Sequence, residues 1–180
     1  MHVSFELSKE DFLQHQLFVA SKSDSVKKQR QKSWWIMIAL FGGLTIFFKF
    51  ANNPLLFYYC LFFTVVSIIF YPIYLRKRYV KHYVKFIEEN YKNRLGQTVT
   101  IDFLDESIQS GDVSGSSNIN YSELQQITET GNYLYVKLKT IGYLIIPKRI
   151  ENIEATKSYL KTLSSQMKID YVEALDWQWK

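Results

Sequence analysis

Leu55 to Leu75 is a run of 21 residues without one charged side chain, and no other stretch limits the fold so tightly. As a helix it reaches ~31 Å at about 1.5 Å per residue, the hydrocarbon thickness of a bilayer. A second run, Trp34 to Phe48, precedes it with 15 uninterrupted residues, or 18 to Ala51 if Lys49 snorkels to the far interface. Only Lys49 and the turn-forming Asn52-Asn53-Pro54 separate the two. The shorter run alone would also fit a buried core helix. Two adjacent helices, apolar on every face, find little core to hide in within a soluble chain of 180 residues. Residues 34–75 therefore read as a two-helix transmembrane hairpin.

The flanks orient that hairpin. Lys22, Lys27, Lys28, Arg30 and Lys32 come before it, and Arg76, Lys77, Arg78, Lys81 and Lys85 come after it, whereas the connecting turn offers Lys49 alone. The positive-inside bias places both termini in the cytoplasm and a very short loop outside. Trp34 and Trp35, with Lys28, Arg30, Lys32, Arg76, Lys77 and Arg78, are the expected membrane-interface anchors, and Tyr71 and Tyr74 join them at the inner boundary. Topology thus accounts for ten of the 22 basic residues and for much of the +5 net charge. The lipid contact it implies is non-specific attraction to anionic headgroups, and no nucleic-acid partner is expected. The single cysteine, Cys60, lies mid-membrane, which excludes an intramolecular disulfide and a cysteine-based metal cluster and disfavours palmitoylation. The polar N-terminus carries no cleavable signal, so the first run is expected to act as an uncleaved anchor.

Residues 1–33 hold a strand, a helix and a basic segment. Val3 to Leu7 alternates apolar and polar. Ser8-Lys-Glu-Asp11 is a capping box, and Phe12, Leu13, Gln16, Leu17 and Ala20 follow at helical spacing. Ser21 to Ser33 reads either as an extension of that helix or as a loop. Residues 76–96 continue the second membrane helix into the cytoplasm, with a kink expected at Pro72 and Gly96 as a C′ residue. From Thr98 the period becomes two, and short strands alternate with turns. They run Thr98–Phe103, Ser107–Ser110, Asn118–Tyr121, Leu124–Thr130, Tyr133–Lys139 and Tyr143–Ile146. Gly111 to Ser117 reads as a flexible loop, and Ile141-Gly142 as a turn. Ile150, Ile153, Thr156, Tyr159, Leu160 and Leu163 trace one face of a terminal helix. The tail, Asp170 to Lys180, reads as an interfacial or partner-docking segment, or as a short helix packing back. The expected class is a membrane α-helical hairpin plus an α+β domain. Residues 97–180 of that domain form a small antiparallel sheet closed by a C-terminal helix. That layout is pleckstrin-homology-like (PH-like), and the Val3–Leu7 strand brings the count to the seven that such folds use.

Tyr143-Leu-Ile-Ile-Pro-Lys-Arg149 and Tyr121-Ser-Glu-Leu124, together with the order of the parts, resemble the YcxB-like family of bacterial membrane proteins. The resemblance implies a bacterial inner or plasma membrane protein with a PH-like cytoplasmic domain. It transfers no activity. Family members usually have Trp where this chain has Tyr121.

No residue pattern points to catalysis. Ser114, between Gly111 and Gly115, lacks the Gly-x-Ser-x-Gly spacing, and His2, His15 and His82 all precede it. Those histidines lack metal-ligand spacing, and no phosphate-binding or dinucleotide glycine motif appears. No cofactor and no enzymatic activity are expected. Lys148 and Arg149 are the candidates for an anion or partner contact, although Asp105-Glu106 at the first hairpin argues against recognition of a specific headgroup. Gly42-Gly43 is expected to let the hairpin helices approach closely. The expected role is a membrane-anchored, non-enzymatic adaptor or regulator with a protein partner still to be identified. The alternatives are a homo-oligomeric pore or transport subunit, and a self-immunity protein against a membrane-active toxin.

Overall fold

The first strand finds its partner beyond both apolar helices. In the computed structural model, which describes residues 1–113, 115–140 and 142–179, β1 (His2–Glu6) pairs antiparallel with β2 (Thr98–Phe103), His2 opposite Asp102 and Glu6 opposite Thr98. Alternation decides this pairing. Val3 and Phe5 point to the same face as Ile101 and Phe103, and all four are buried, each contributing roughly 1.5–3 kcal/mol. β3 (Ser107–Asp112) and β4 (Gly115–Asn120) complete a first sheet in the order β1-β2-β3-β4.

A second sheet has the order β7-β6-β5-β8, from β5 (Leu124–Thr130), β6 (Tyr133–Leu138), β7 (Tyr143–Pro147) and β8 (Asp170–Ala174). Ile127, Leu134, Val136 and Ile146 form one buried face, and Thr128, Tyr133 and Tyr135 are buried on the other. A C-terminal helix buries Thr156, Leu160 and Leu163 along one stripe, with Ile150 just ahead of it, as their helical spacing requires. Lys168 ends that helix in the left-handed conformation at φ 55°.

Four sequence expectations change here. Within the stretch expected as a flexible loop, Gly111, Asp112 and Gly115 to Ser117 are strand. Asp112 pairs with Gly115 and Gly111 with Ser116, so the small polar residues of β3 and β4 are held by antiparallel backbone pairing rather than burial. The sheet is not single and wholly antiparallel: there are two sheets, and β8 lies parallel to β5 at the end of the second. That strand occupies the start of the tail, so the short helix that was the alternative for this segment does not form there. Gly96 has φ 69° and donates its N–H to Leu7 O at 2.9 Å, but the preceding helix has already stopped at Asn90. Half of the expected Ile141-Gly142 turn, Ile141, lies outside the described residues.

The chain divides into two compact units: Met1–His15 with Ile87–Gln178, and a second built of residues 16–86 with Trp179. Three helices occupy or enter the second unit, α1 (Lys9–Lys22), α2 (Asp24–Phe50) and α3 (Pro54–Asn90), and the one after β7 is α4 (Ile153–Met167). Ser23 caps α2 by accepting from Val26 N at 3.4 Å, so the basic segment belongs to the first apolar helix. Asn52, at φ 52°, turns the chain, and Asn53 Oδ1 accepts from Leu56 N to start α3. α3 runs unbroken through Pro72. Both α2 and α3 are long and apolar enough to cross a membrane, and their apolar windows are almost wholly unburied; Phe50 is 83% exposed. The helices meet through Thr45 and Thr64, whose hydroxyls lie 3.3 Å apart, and through Phe41 stacked on Phe63. Gly42 and Gly43 take no part in that meeting, because a Cβ at either would touch nothing within 4 Å.

Candidate functional site

The first unit carries a cleft of about 190 Å³ where its sheets and helices converge. Phe12 and His15 come from α1. Tyr91 directly follows α3, and Arg94 ends the 3-10 turn Lys92–Arg94 after it. β2 supplies Val99 and Ile101, β3 supplies Ser110 and Asp112, and β7 supplies Tyr143, Leu144 and Ile145. Three consecutive β7 residues line the cleft, yet alternate residues of a strand point to opposite faces. It is therefore the edge of β7 that borders the cleft, and β7 is the outermost strand of its sheet.

Two cleft groups have distinctive electrostatics. Burial pushes the His15 imidazole down to about 4, so it is neutral at pH 7 and its Nε2 is buried with no hydrogen-bond partner among the described residues. The Tyr143 ring meets it edge-on, with centroids 5.5 Å apart. Arg94 and Asp112 form an ion pair on the wall. A lone neutral imidazole, an ion pair and aromatic rings beside a strand edge suit the binding of an extended segment. Among the described residues, no group of three or more His, Cys, Asp or Glu side chains could hold a metal ion.

Lys148 and Arg149, the expected anion contacts, are both engaged by buried carboxylates. Arg149 straddles Asp11 with two bonds of 2.6 Å, Nη1 to Oδ1 and Nη2 to Oδ2, and also donates to Glu6 O. Asp11 is 1% exposed. It accepts as well from Ser8 N, Ser8 Oγ and the Tyr133 hydroxyl, so the capping box doubles as the anchor of the Pro-Lys-Arg segment. Burial pushes the Asp11 carboxyl up, but these donors, Arg149 foremost, outweigh it and hold the carboxyl below its usual range. Lys148 Nζ lies 2.6 Å from Glu129 Oε1, Lys157 Nζ lies 3.2 Å from the same oxygen, and the Tyr171 hydroxyl donates to Oε2 at 2.6 Å. Burial again raises the carboxyl, and the three donors bring Glu129 down to about 2. Sequence reasoning missed both acids. The capping box did flag Asp11, but as a helix start, and nothing in the alternation of β5 marks Glu129 as an ion-pair partner.

The expected interface anchors all lie in the second unit. Trp35 is exposed, as are Lys28, Lys32, Arg76, Lys77 and Arg78, whereas Trp34 and Arg30 are half-buried. Arg30 packs on the Trp179 ring with its guanidinium carbon 4.9 Å from the ring centroid, and Trp179 donates its indole N–H to Arg76 O at 3.4 Å. Ser114 lies outside the described residues.

Residues 103–163, which run from the end of β2 to Leu163 in α4, match the family model described as YcxB-like protein, bearing out the resemblance read from the sequence. The match includes Lys148, Arg149 and Glu129 and neither apolar helix. Among curated proteins and among solved structures, no match to the chain was found.

Proposed function

With residues 103–163 matching the family model described as YcxB-like protein, we propose that the chain is an integral protein of a bacterial plasma membrane. In this reading α2 and α3 cross the bilayer as a hairpin with both termini in the cytoplasm, and the β unit is a PH-like, non-enzymatic module serving as an adaptor or regulator. The observation that carries the reading is the pairing of β1 with β2. The segments before α2 and after α3 share one sheet, so a chain whose two apolar helices enter a bilayer must return to the side it left. The ten basic flanking residues make that side the cytoplasmic one. Seven strands in two sheets followed by a helix support the PH-like assignment, with β8 as an addition. The edge of β7 beside the cleft is the docking line for an extended segment of a protein partner.

Cysteine labelling in intact cells tests the topology, in a Cys60→Ser background. Asn52→Cys should react with an impermeant maleimide, and Ser116→Cys should react only after permeabilisation. Labelling of Ser116→Cys in intact cells would overturn the orientation. Cross-linking with mass spectrometry at native expression tests the adaptor role. Links from Lys148, Lys157 or Lys168 to one reproducible protein support it. Links solely between copies of the chain, near Lys77 to Lys92, would replace it with a homo-oligomeric assembly.

A further inference from the structure

We propose that the free edge of β1, with the turn at residues 149–152, takes an extended cationic segment of a partner protein as a further strand of the first sheet. This surface is separate from the β7 line, and it does not rest on the membrane reading.

β1 is the end strand of its sheet. Its bonds to β2 alternate from the Met1–Phe103 pair, where Met1 N donates to Phe103 O at 2.9 Å and Phe103 N to Met1 O at 2.8 Å. The register then turns the backbone groups of Val3 and Phe5 toward Ile101 and Val99. Those of His2, Ser4 and Glu6 face away from the sheet. Glu6 fits this alternation, since its carbonyl accepts from Arg149 Nη2 at 2.7 Å. That bond closes one end of the edge. From His2 to Phe5 the edge borders a groove of about 480 Å³, whose other wall is the turn from Arg149 to Asn152. β1 contains no Lys, no Pro and no bulge, the devices that keep an edge from pairing. Its outward N–H and C=O groups suit strand addition.

Charge selects the occupant. Residues 1–15 and 87–178, the β unit, hold 16 Asp and Glu against ten Lys and Arg, whereas residues 16–86 hold one acid against eleven bases. An acidic unit in a basic chain draws cationic partners and turns away anionic ones. At the groove the cations are already matched: Arg149 is held on Asp11, and His2 Nδ1 lies 2.6 Å from Asp102 Oδ1. The exposed carboxylates of Glu6 and Glu151 have no ion-pair partner among the described residues. An added strand presents alternate side chains to the two faces of the sheet. Apolar ones fall on the face of Val3 and Phe5, which are buried. Lys or Arg falls on the face of Ser4 and Glu6.

The test uses the full chain in neutral detergent and two labelled, end-capped six-residue peptides, read by fluorescence anisotropy. One peptide alternates Val and Lys, the other Val and Glu. The Val-Lys peptide should bind saturably, and the Val-Glu peptide should not. Ser4→Pro removes an N–H that faces away from β2, so β1 keeps its own pairing while an added strand loses a bond. Affinity should fall about tenfold. Glu6→Gln and Glu151→Gln should each weaken binding about two- to fivefold at low salt. Glu123→Gln, which follows β4 at the far edge of the sheet, should leave it unchanged. A Val-Lys peptide N-methylated at the residues that face β1 probes the same bonds without altering the protein, and should not bind. Undiminished binding of the methylated peptide, or equal binding of the Val-Lys and Val-Glu peptides, would overturn the proposal. Equal weakening by all three Gln variants would mean diffuse charge and would overturn it too. A chain that is dimeric by light scattering, and monomeric as Ser4→Pro, would place a second copy on the edge and overturn the cationic-segment assignment.

Discussion

Replacing Arg149 with methionine should destabilise the β unit by about 2–3 kcal/mol. Breaking a buried ion pair from one side costs roughly 3–5 kcal/mol, because the remaining charge is left dry. Two features reduce the figure here. The Arg149 side chain is 53% exposed, and Asp11 keeps Ser8 N, Ser8 Oγ and the Tyr133 hydroxyl as donors. In a unit of roughly a hundred residues, 2–3 kcal/mol lowers the midpoint of thermal unfolding by about 8–20 °C. The assay is near-ultraviolet circular dichroism of the full chain in mild detergent, at several pH values. In the wild type the folded carboxyl titrates below its usual range, so its stabilisation is present above about pH 4 and is lost as pH falls below that. Without Arg149, burial acts with less opposition and raises the folded value. The variant is then penalised at neutral pH and relieved on acidification, so the gap between the two proteins should narrow from pH 6 to pH 3. A double-mutant cycle with Asp11→Asn should return a coupling above ~1 kcal/mol. A gap that stays constant across that range, or a coupling near zero, would refute the electrostatic account and leave only lost packing.

Three further outcomes follow from the same geometry. Replacing residues 24–85 with a flexible glycine-serine linker should yield a soluble, folded β unit by circular dichroism, whereas a fragment beginning at Arg94 should not fold, since it lacks β1 and Asp11. Glu129→Gln should cost about 3 kcal/mol; with the wild-type carboxyl held at about 2, the stability it confers is present above about pH 4.5 and lost as pH falls toward 2, so acid unfolding curves of the two proteins should converge there. His15→Leu should flatten the acid limb of stability between about pH 6.5 and pH 4, because the folded imidazole resists protonation down to about 4 while the unfolded one does not; an unchanged limb in thermal melts would place His15 in water.

Much of this architecture was legible because it rests on periodicity. The alternation of Val3 and Phe5, the Ser8–Asp11 cap and the stripe at Thr156, Leu160 and Leu163 each reappear as buried faces. What periodicity could not carry was pairing at a distance. Glu129 is acidic on a strand, and only the fold brings Lys148, Lys157 and Tyr171 around it. Gly111 to Ser117 has loop composition, and Gly111, Asp112 and Gly115 to Ser117 become strand because backbone bonds to a neighbour supply what their side chains lack. Asp170 to Ala174 reads as tail until β5 offers it an edge. The Arg149–Asp11 pair spans 138 residues, and neither end announces the other.

The separation of β1 from β2 also sets a clock during synthesis. β1 leaves the ribosome about 90 residues before its partner, and at roughly 5–20 residues per second it waits about 5–20 s. Through that interval both helices have to be made, and Val3, Phe5 and Leu7 stand with no sheet to enter. Insertion of the hairpin shortens the search that ends the wait. In the membrane topology proposed above, its two ends emerge side by side at one membrane surface, so a long loop is replaced by a short gap. A translocation defect would thus appear first as a folding defect of the β unit, and the nascent N-terminus would be the part exposed to proteases.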